Sequence, residues 1–186
     1  MEPAVVKVVT IPENVSVEIA GAVVTVKGPK GTLEKDFFNP RFSETVRIEK
    51  NGGVKITSAS ERRTHKAIAG TIQSHVENMI TGVSVGYKYV MKITYSHFPL
   101  TVTVKDKEVQ IKNFLGEKGL RIARIIGDCS VKTDKEEITI TDISKDDVGQ
   151  TASNIEQACR ITGRDRRIFQ DGIFIAGKYL QNGEEL

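Results

Sequence analysis

The chain has 186 residues, 39% hydrophobic and 27% charged, enough apolar material for one large core or two small ones of roughly 80 to 90 residues each. No stretch approaches the roughly 18 uninterrupted apolar residues of a membrane helix, and the opening MEPAVVKVVT has no basic segment followed by an apolar one, so no secretory signal is expected. A net charge of +3 does not announce a polyanionic partner by itself, and Cys129 and Cys159, with no CxxC spacing, read as buried small hydrophobes in a reducing cytoplasm.

The first elements are strands. VSVEIAGAVVTVKG alternates apolar and polar residues over 15 to 19 and 22 to 27, around a turn at Ala20-Gly21, the period of half-buried strands. GPKG, residues 28 to 31, lacks the GxxxxGK[ST] spacing of a phosphate loop and leads into a strand where that loop needs a helix. It reads first as a plain turn, Pro29 fixing φ and Gly31 supplying flexibility; the alternative is a turn that also presents Lys27 and Lys30 to an anion. TVRIEKNGGVKITSA repeats the alternation around Asn51-Gly52-Gly53, a hairpin signal because these residues accept positive φ. The period then changes. Ile68, Ile72, Val76 and Met79 or Ile80 predict a helix from about 61 to 80, with Ser58 and Glu61 as a capping box and Gly82 as its stop.

The second half repeats the first. Residues 100 to 113 and 130 to 142 predict hairpins turning near Asp106-Lys107 and Asp134-Lys135. Val148, Ala152, Ile155 and Cys159 form a helical stripe that Asp142 or Ser144 caps and Gly163 ends. Val17 aligns with Val102, Val26 with Ile111 and Gly31 with Gly116 at a shift of 85; Ile56 aligns with Ile140 and Ile72 with Ile155 at slightly smaller shifts. The pattern is an internal duplication: an α+β chain of two tandem units, 1–88 and 89–186, each an antiparallel β-sheet with one packed α-helix. The boundary is expected in GVSVGYKYVMKITYSHFP, residues 82 to 99.

Catalytic chemistry finds little footing. His65, His75 and His97 show no HxxxH or HExxH spacing and the cysteines add no metal pattern, so neither a metal nor another cofactor is expected. No GxSxG elbow occurs. Six acids fall within 134 to 147, and Asp146 and Asp147 suit a helix start, where carboxylates offset the macrodipole.

The cations carry more. Arg62, Arg63 and Lys66 crowd a helix start, where positive charge is unfavourable unless an anion offsets it. Arg160, Arg164, Arg166 and Arg167 fall within eight residues, beside Phe169, Ile173, Phe174 and Ile175. The guanidinium fork fits phosphate bidentately and stacks on bases. Placed on an exposed loop after the helix, these arginines point to RNA or another polyanion, with the apolar run anchoring the loop or forming contact surface. Whole-unit charge points the other way: 1–88 carries 12 basic and 9 acidic residues, 89–186 carries 15 of each. A local patch decides binding more than a sum does. A protein-interaction scaffold whose basic loop meets an acidic protein is the rival reading, and an enzyme with a cleft between the repeats is a third, for which no residue is nominated.

The segments IPENVSVEIAGAVVTVKGPKGTL (11 to 33), NMITGVSVGYKYVMKI (78 to 93), HFP (97 to 99) and NFLG (113 to 116), with the set Gln157, Ile161, Arg164, Arg167, Phe169, Asp171, Gly172 and a closing Lys178, resemble the archaeal and eukaryotic branch of the large-subunit ribosomal protein six family over nearly the whole chain. Phe174 stands where that family usually has tyrosine, which removes one hydroxyl hydrogen bond and keeps the ring. The resemblance implies a duplicated two-domain α+β protein in the cytoplasm, without enzymatic activity, bound to large-subunit ribosomal RNA mainly through its second domain. It also implies a place near the stalk base and the sarcin–ricin loop, beside neighbouring ribosomal proteins, where translational GTPases dock. Resemblance and residue reading together make Arg160, Arg164, Arg166, Arg167 and Lys178 the expected RNA contacts; Arg62, Arg63, Lys66, Lys27 and Lys30 are further ones, from the residue reading.

Overall fold

The computed structural model describes residues 5–40, 46–50, 52–60 and 62–186. The chain divides into two compact units, Met1–Val85 and Gly86–Leu186. A cut at 88/89 would fall inside the first strand of the second unit, which starts at Tyr87.

The first unit holds β1 (Val5–Val9), β2 (Ser16–Ala20), β3 (Val23–Gly28), β4 (Gly31–Asp36), β5 (Val46–Lys50), β6 (Val54–Ser58) and α1 (Arg63–Ser84). Its strands form two antiparallel sheets, ordered β1-β6-β5 and β2-β3-β4, where one was expected. The sequence makes consecutive hairpins, and nothing in a hairpin pattern tells whether neighbouring hairpins share a ladder. α1 packs on strands of both sheets. Its stripe of Ala69, Ile72, Val76, Met79, Ile80 and Val83 meets Val17, Val24, Val26, Val54 and Ile56 in a buried core, the spacing that puts one helical face inward.

The second unit holds β7 (Tyr87–Thr94), β8 (Thr101–Lys105), β9 (Glu108–Lys112), β10 (Arg121–Arg124), β11 (Ser130–Thr133), β12 (Glu137–Asp142), α2 (Lys145–Ala158) and β13 (Gly172–Leu180). Its sheets are β10-β9-β8 and β11-β12-β7-β13. The duplication is topological: β7-β12-β11 repeats β1-β6-β5, and β8-β9-β10 repeats β2-β3-β4. The addition is β13, antiparallel to β7; the matching edge of β1 pairs with no described strand. Ile173 of β13 is fully buried among Tyr89, Met91, Ile111, Ile138, Ile140 and Ile155. The apolar run after the arginines is therefore a core strand as well as an anchor. Both cysteines are buried and free, and burial pushes the Cys129 thiol up to about 12 and the Cys159 thiol to about 11.

Several local expectations need correction. Ser58 does not cap α1: its hydroxyl donates to the Ser60 carbonyl, and Arg62 is the cap residue with no side-chain bond. Glu61 of that capping box and Asn51 of the hairpin turn lie outside the described residues. Gly82 does not stop α1. It is buried within the helix, which runs on to Ser84, and Gly86, at φ +79°, follows the end. Gly163 does not end α2, which stops at Ala158; Gly163 sits in the following loop. Ser144 caps α2 as expected, accepting from the Asp147 N–H, with Asp146 and Asp147 in the first turn.

Candidate nucleic-acid interface

The loop between α2 and β13 carries all four arginines, and all four are exposed. Its two ends are pinned. At the start, Arg121 of β10 reaches across: Nη1 donates to the carbonyls of Ala158 (2.9 Å) and Arg160 (3.2 Å). The Ala158 carbonyl is one that a helix end leaves without an intrahelical partner, and the Arg160 carbonyl follows just beyond the cap residue Cys159. Its Nε and Nη2 donate to Glu117 at 3.0 and 2.8 Å, and its guanidinium carbon lies 4.2 Å from the centre of the Phe114 ring. Hydrogen bonding to Arg121 holds the Glu117 carboxyl below its ordinary value, and the charge of Arg164 adds a smaller share. At the loop's far end the buried Asp171 accepts the Ser96 N–H at 2.5 Å. Arg121 was not singled out from the sequence. Its i, i+4 relation to Glu117 was the one signal available, because the carbonyls it holds are 37 and 39 positions away.

Between the pins the arginines have different fates. Arg167 donates to Asp165 through Nε and Nη2, the latter at 2.9 Å, which lowers the Asp165 carboxyl below its ordinary value. The Asp165 carbonyl also accepts the N–H groups of Ile168 and Phe169, closing a turn. Arg164 stacks on Phe169, 4.9 Å from the ring centre. Arg160 and Arg166 have no hydrogen bond or ion pair from their side chains among the described residues. Both line an open cleft of about 640 Å³ with Phe169, Gln170 and Phe174. Two uncommitted guanidinium groups on one rim can take two anionic oxygens without first breaking an internal pair.

The remaining cations are scattered. Lys178 sits six residues along β13 from Gly172, about 20 Å away at a strand's rise, with its ammonium 5.6 Å from the Tyr89 ring centre; it does not join the loop. Arg62, Arg63 and Lys66 are exposed at the start of α1, whose first turn holds no acid. The two lysines around the GPKG turn are engaged internally. Lys27 pairs with Glu18 at 2.8 Å, and Lys30 clasps the end of α1, its ammonium donating to the Val85 carbonyl and its N–H to the Val83 carbonyl. A cation at a helix C-terminus offsets the macrodipole, so this turn is a helix clasp.

Fold and loop together define a duplicated α+β protein whose second copy carries a pinned, arginine-rich loop. A family model described as Ribosomal protein L6 matches residues 11–86 and 98–172, one segment in each unit. Curated relatives named large ribosomal subunit protein uL6 are similar over most of the chain. That of Desulfurococcus amylolyticus is 50% identical over 172 residues, 91% of this chain and 92% of the relative. That of Methanosarcina mazei is 47% identical over 178 residues, covering 96% and 99%, and that of Staphylothermus marinus 49% identical over 176 residues, covering 93% and 94%. The chain belongs to the ribosomal protein L6 family; it is a ribosomal protein and not an enzyme.

Proposed function

We propose that this ribosomal protein is a structural constituent of the large subunit, working in the cytoplasm, whose second unit clamps large-subunit ribosomal RNA through the loop between α2 and β13. Its place is near the stalk base and the sarcin–ricin loop, beside neighbouring ribosomal proteins, where it supports the region in which translational GTPases dock. The observation that carries the reading is the pair Arg160 and Arg166, exposed and uncommitted on a loop pinned at both ends. A pinned loop loses little conformational freedom when it binds. Arg164 and Arg167 are held ready by Phe169 and Asp165 and join when phosphate competes for them. Arg62, Arg63 and Lys66 make a second, weaker contact. Recognition is of backbone and shape, because A-form RNA hides its major-groove edges.

The test is binding of the full chain to large-subunit RNA fragments of equal length across a salt series. Fragments carrying the sarcin–ricin loop and stalk base should bind more tightly than others, with affinity falling steeply as salt rises. Equal binding to every fragment, or none, contradicts the proposal and favours an acidic protein as the partner of the basic loop.

A further inference from the structure

The face of the β11-β12-β7-β13 sheet turned away from α2 carries residues that the arginine loop does not use. Pairing puts Glu137, Lys92 and Phe174 in one row, Lys132, Thr139, Val90 and Gly177 in the next, and Ser130, Thr141, Lys88 and Tyr179 in a third. The alternate positions Met91, Ile93, Ile138, Ile140 and Ile173 are buried on the other face. A register shift between Ile175 and Gly177 skips Ala176 and brings Tyr179 onto the same face as Phe174.

Both rings lie down on the sheet. A Cβ on Gly172 would come within 2.7 Å of the Phe174 ring, and one on Gly177 within 2.5 Å of the Tyr179 ring. Each ring thus covers the glycine two residues before it, and only a residue without a side chain leaves it room. A ring lying along a sheet presents a face outward, where a ring standing upright presents an edge. Phe174 remains 41% exposed. Each ring has a lysine directly opposite on β7, Lys92 for Phe174 and Lys88 for Tyr179. Lys88, Lys92 and Lys132 have no hydrogen bond or ion pair from their side chains among the described residues, and the acids in these rows are Glu137 and, bridged antiparallel to Tyr179, Glu185.

We infer that this face is a stacking platform for unpaired nucleotides of single-stranded RNA, with bases lying on Phe174 and Tyr179 and phosphates meeting Lys92 and Lys88. Flat aromatic faces beside cations on an open antiparallel sheet suit single strands, whose splayed bases stack on aromatic rings. The glycines under the rings are four β7 positions apart in register, Thr94 to Val90, about 13 Å at a strand's rise. Bases in a continuous stack are about 3.4 Å apart, so the two rings hold non-adjacent, unstacked bases and do not fit a duplex. Phe174 also lines the arginine cleft, so platform and loop meet at one residue, and an RNA held by its phosphates at Arg166 can lay a loop base on the sheet. The platform rests on the RNA reading given above and adds to it the class of structure recognised, an unpaired stretch beside the clamped backbone.

The test uses the full chain with octauridylate and with an abasic ribose-phosphate octamer of equal charge. The oligouridylate should bind at least about five-fold more tightly, the lower bound for one stacked base. Phe174→Leu and Tyr179→Leu, which keep an apolar cover over the glycines, should each lose roughly five- to hundred-fold in oligouridylate affinity and little toward the abasic probe. Lys92→Gln should lower the salt slope by about 0.7, the value for a single-strand phosphate contact. If either leucine variant unfolds, photocrosslinking of a 5-iodouridine octamer to the unaltered protein decides: adducts at Phe174 or Tyr179 support the platform, adducts elsewhere overturn it. Equal affinity for the two octamers overturns it, leaving the rings as covers for glycine. Unchanged RNA binding with lost binding to another ribosomal protein overturns it in favour of a protein-docking face. Arginine-dependent binding of ribosomal RNA fragments without preference for bases sinks the platform alone, whereas loss of all RNA binding by the unaltered protein sinks the clamp as well.

Discussion

α1 and α2 occupy the same place in the two copies and end differently. At the shift that aligns Ile72 with Ile155, the last nine residues of α1, Val76 to Ser84, correspond to Cys159 to Arg167. In the first unit that stretch is helix, held down by the buried side chains of Met79, Ile80 and Val83. In the second unit the equivalent residues are Thr162, Gly163 and Arg166. Burying a large aliphatic side chain contributes about 1.5–3 kcal/mol, and without that contribution a helix end does not hold. The chain leaves the helix nine residues early and becomes the arginine loop. The helix ends are nevertheless clasped alike, each by a cation from the corresponding sheet, β2-β3-β4 or β8-β9-β10: Lys30 on the carbonyl of Val85, Arg121 on those of Ala158 and Arg160. One scaffold therefore gives a closed copy and an open one. The open copy gains β13, the strand through which the chain returns from its loop to the sheet.

The largest effect should come from forcing the difference onto the closed copy. Val83→Arg places in the first unit the residue type found at Arg166, but at a fully buried position. An unpaired buried charge costs about 3–5 kcal/mol, so urea denaturation should show the first unit unfolding at much lower denaturant while the second keeps its midpoint. Unchanged stability would mean that the stripe does not set the length of α1.

Arg121→Ala should come next. It removes the clasp, takes the Arg121 donor from the carbonyls of Ala158 and Arg160 and costs about 1–3 kcal/mol, with faster amide exchange at Arg160 to Gly163. The effect has a pH signature. The Glu117 carboxyl is held below its ordinary value by Arg121, so its stabilising contribution is present above the unfolded carboxylate pKa and is lost as pH falls through the lower folded value. The stability gap between variant and unaltered protein should therefore narrow in acid. A gap that stays constant down to full protonation would show that the pair contributes nothing.

Asp165→Asn should change stability least. The amide oxygen can still accept the Arg167 N–H that now bonds Asp165 Oδ1 at 3.0 Å, but the ion pair is gone. An exposed pair of this kind contributes little to folding. Freed, Arg167 should join the phosphate contacts and steepen the salt dependence of RNA binding by about one unit. An unchanged slope would mean that Arg167 already faces RNA despite its partner.

The duplication was legible in the sequence because both copies keep period-2 strands and a period-3.6 stripe, and residue type narrowed the α2 cap to Asp142 or Ser144, of which the structure uses Ser144. Glycine is a misleading stop signal at both helix ends. The stop was set by where the stripe gives out: Val83 lies one residue beyond Gly82 and carries α1 on. β13 was hidden because the register shift at Ala176 breaks the alternation by which a strand is recognised. The arginines were found as a cluster, but their division into two uncommitted groups, one stacked and one ion-paired, depends on Asp165 and Phe169 folding back within the loop. Arg121 and Lys30 were out of reach because each acts on backbone carbonyls far along the chain.

The most direct test of the account compares the two basic sites in the full-length protein: salt-dependent binding to the sarcin–ricin fragment by Arg160→Ala/Arg166→Ala and by Arg62→Ala/Arg63→Ala. The account predicts that the first pair lowers the salt slope by about two units and weakens binding far more than the second. The reverse order, with the α1 pair dominant and the loop pair near the unaltered protein, would contradict it and move the clamp to the first unit.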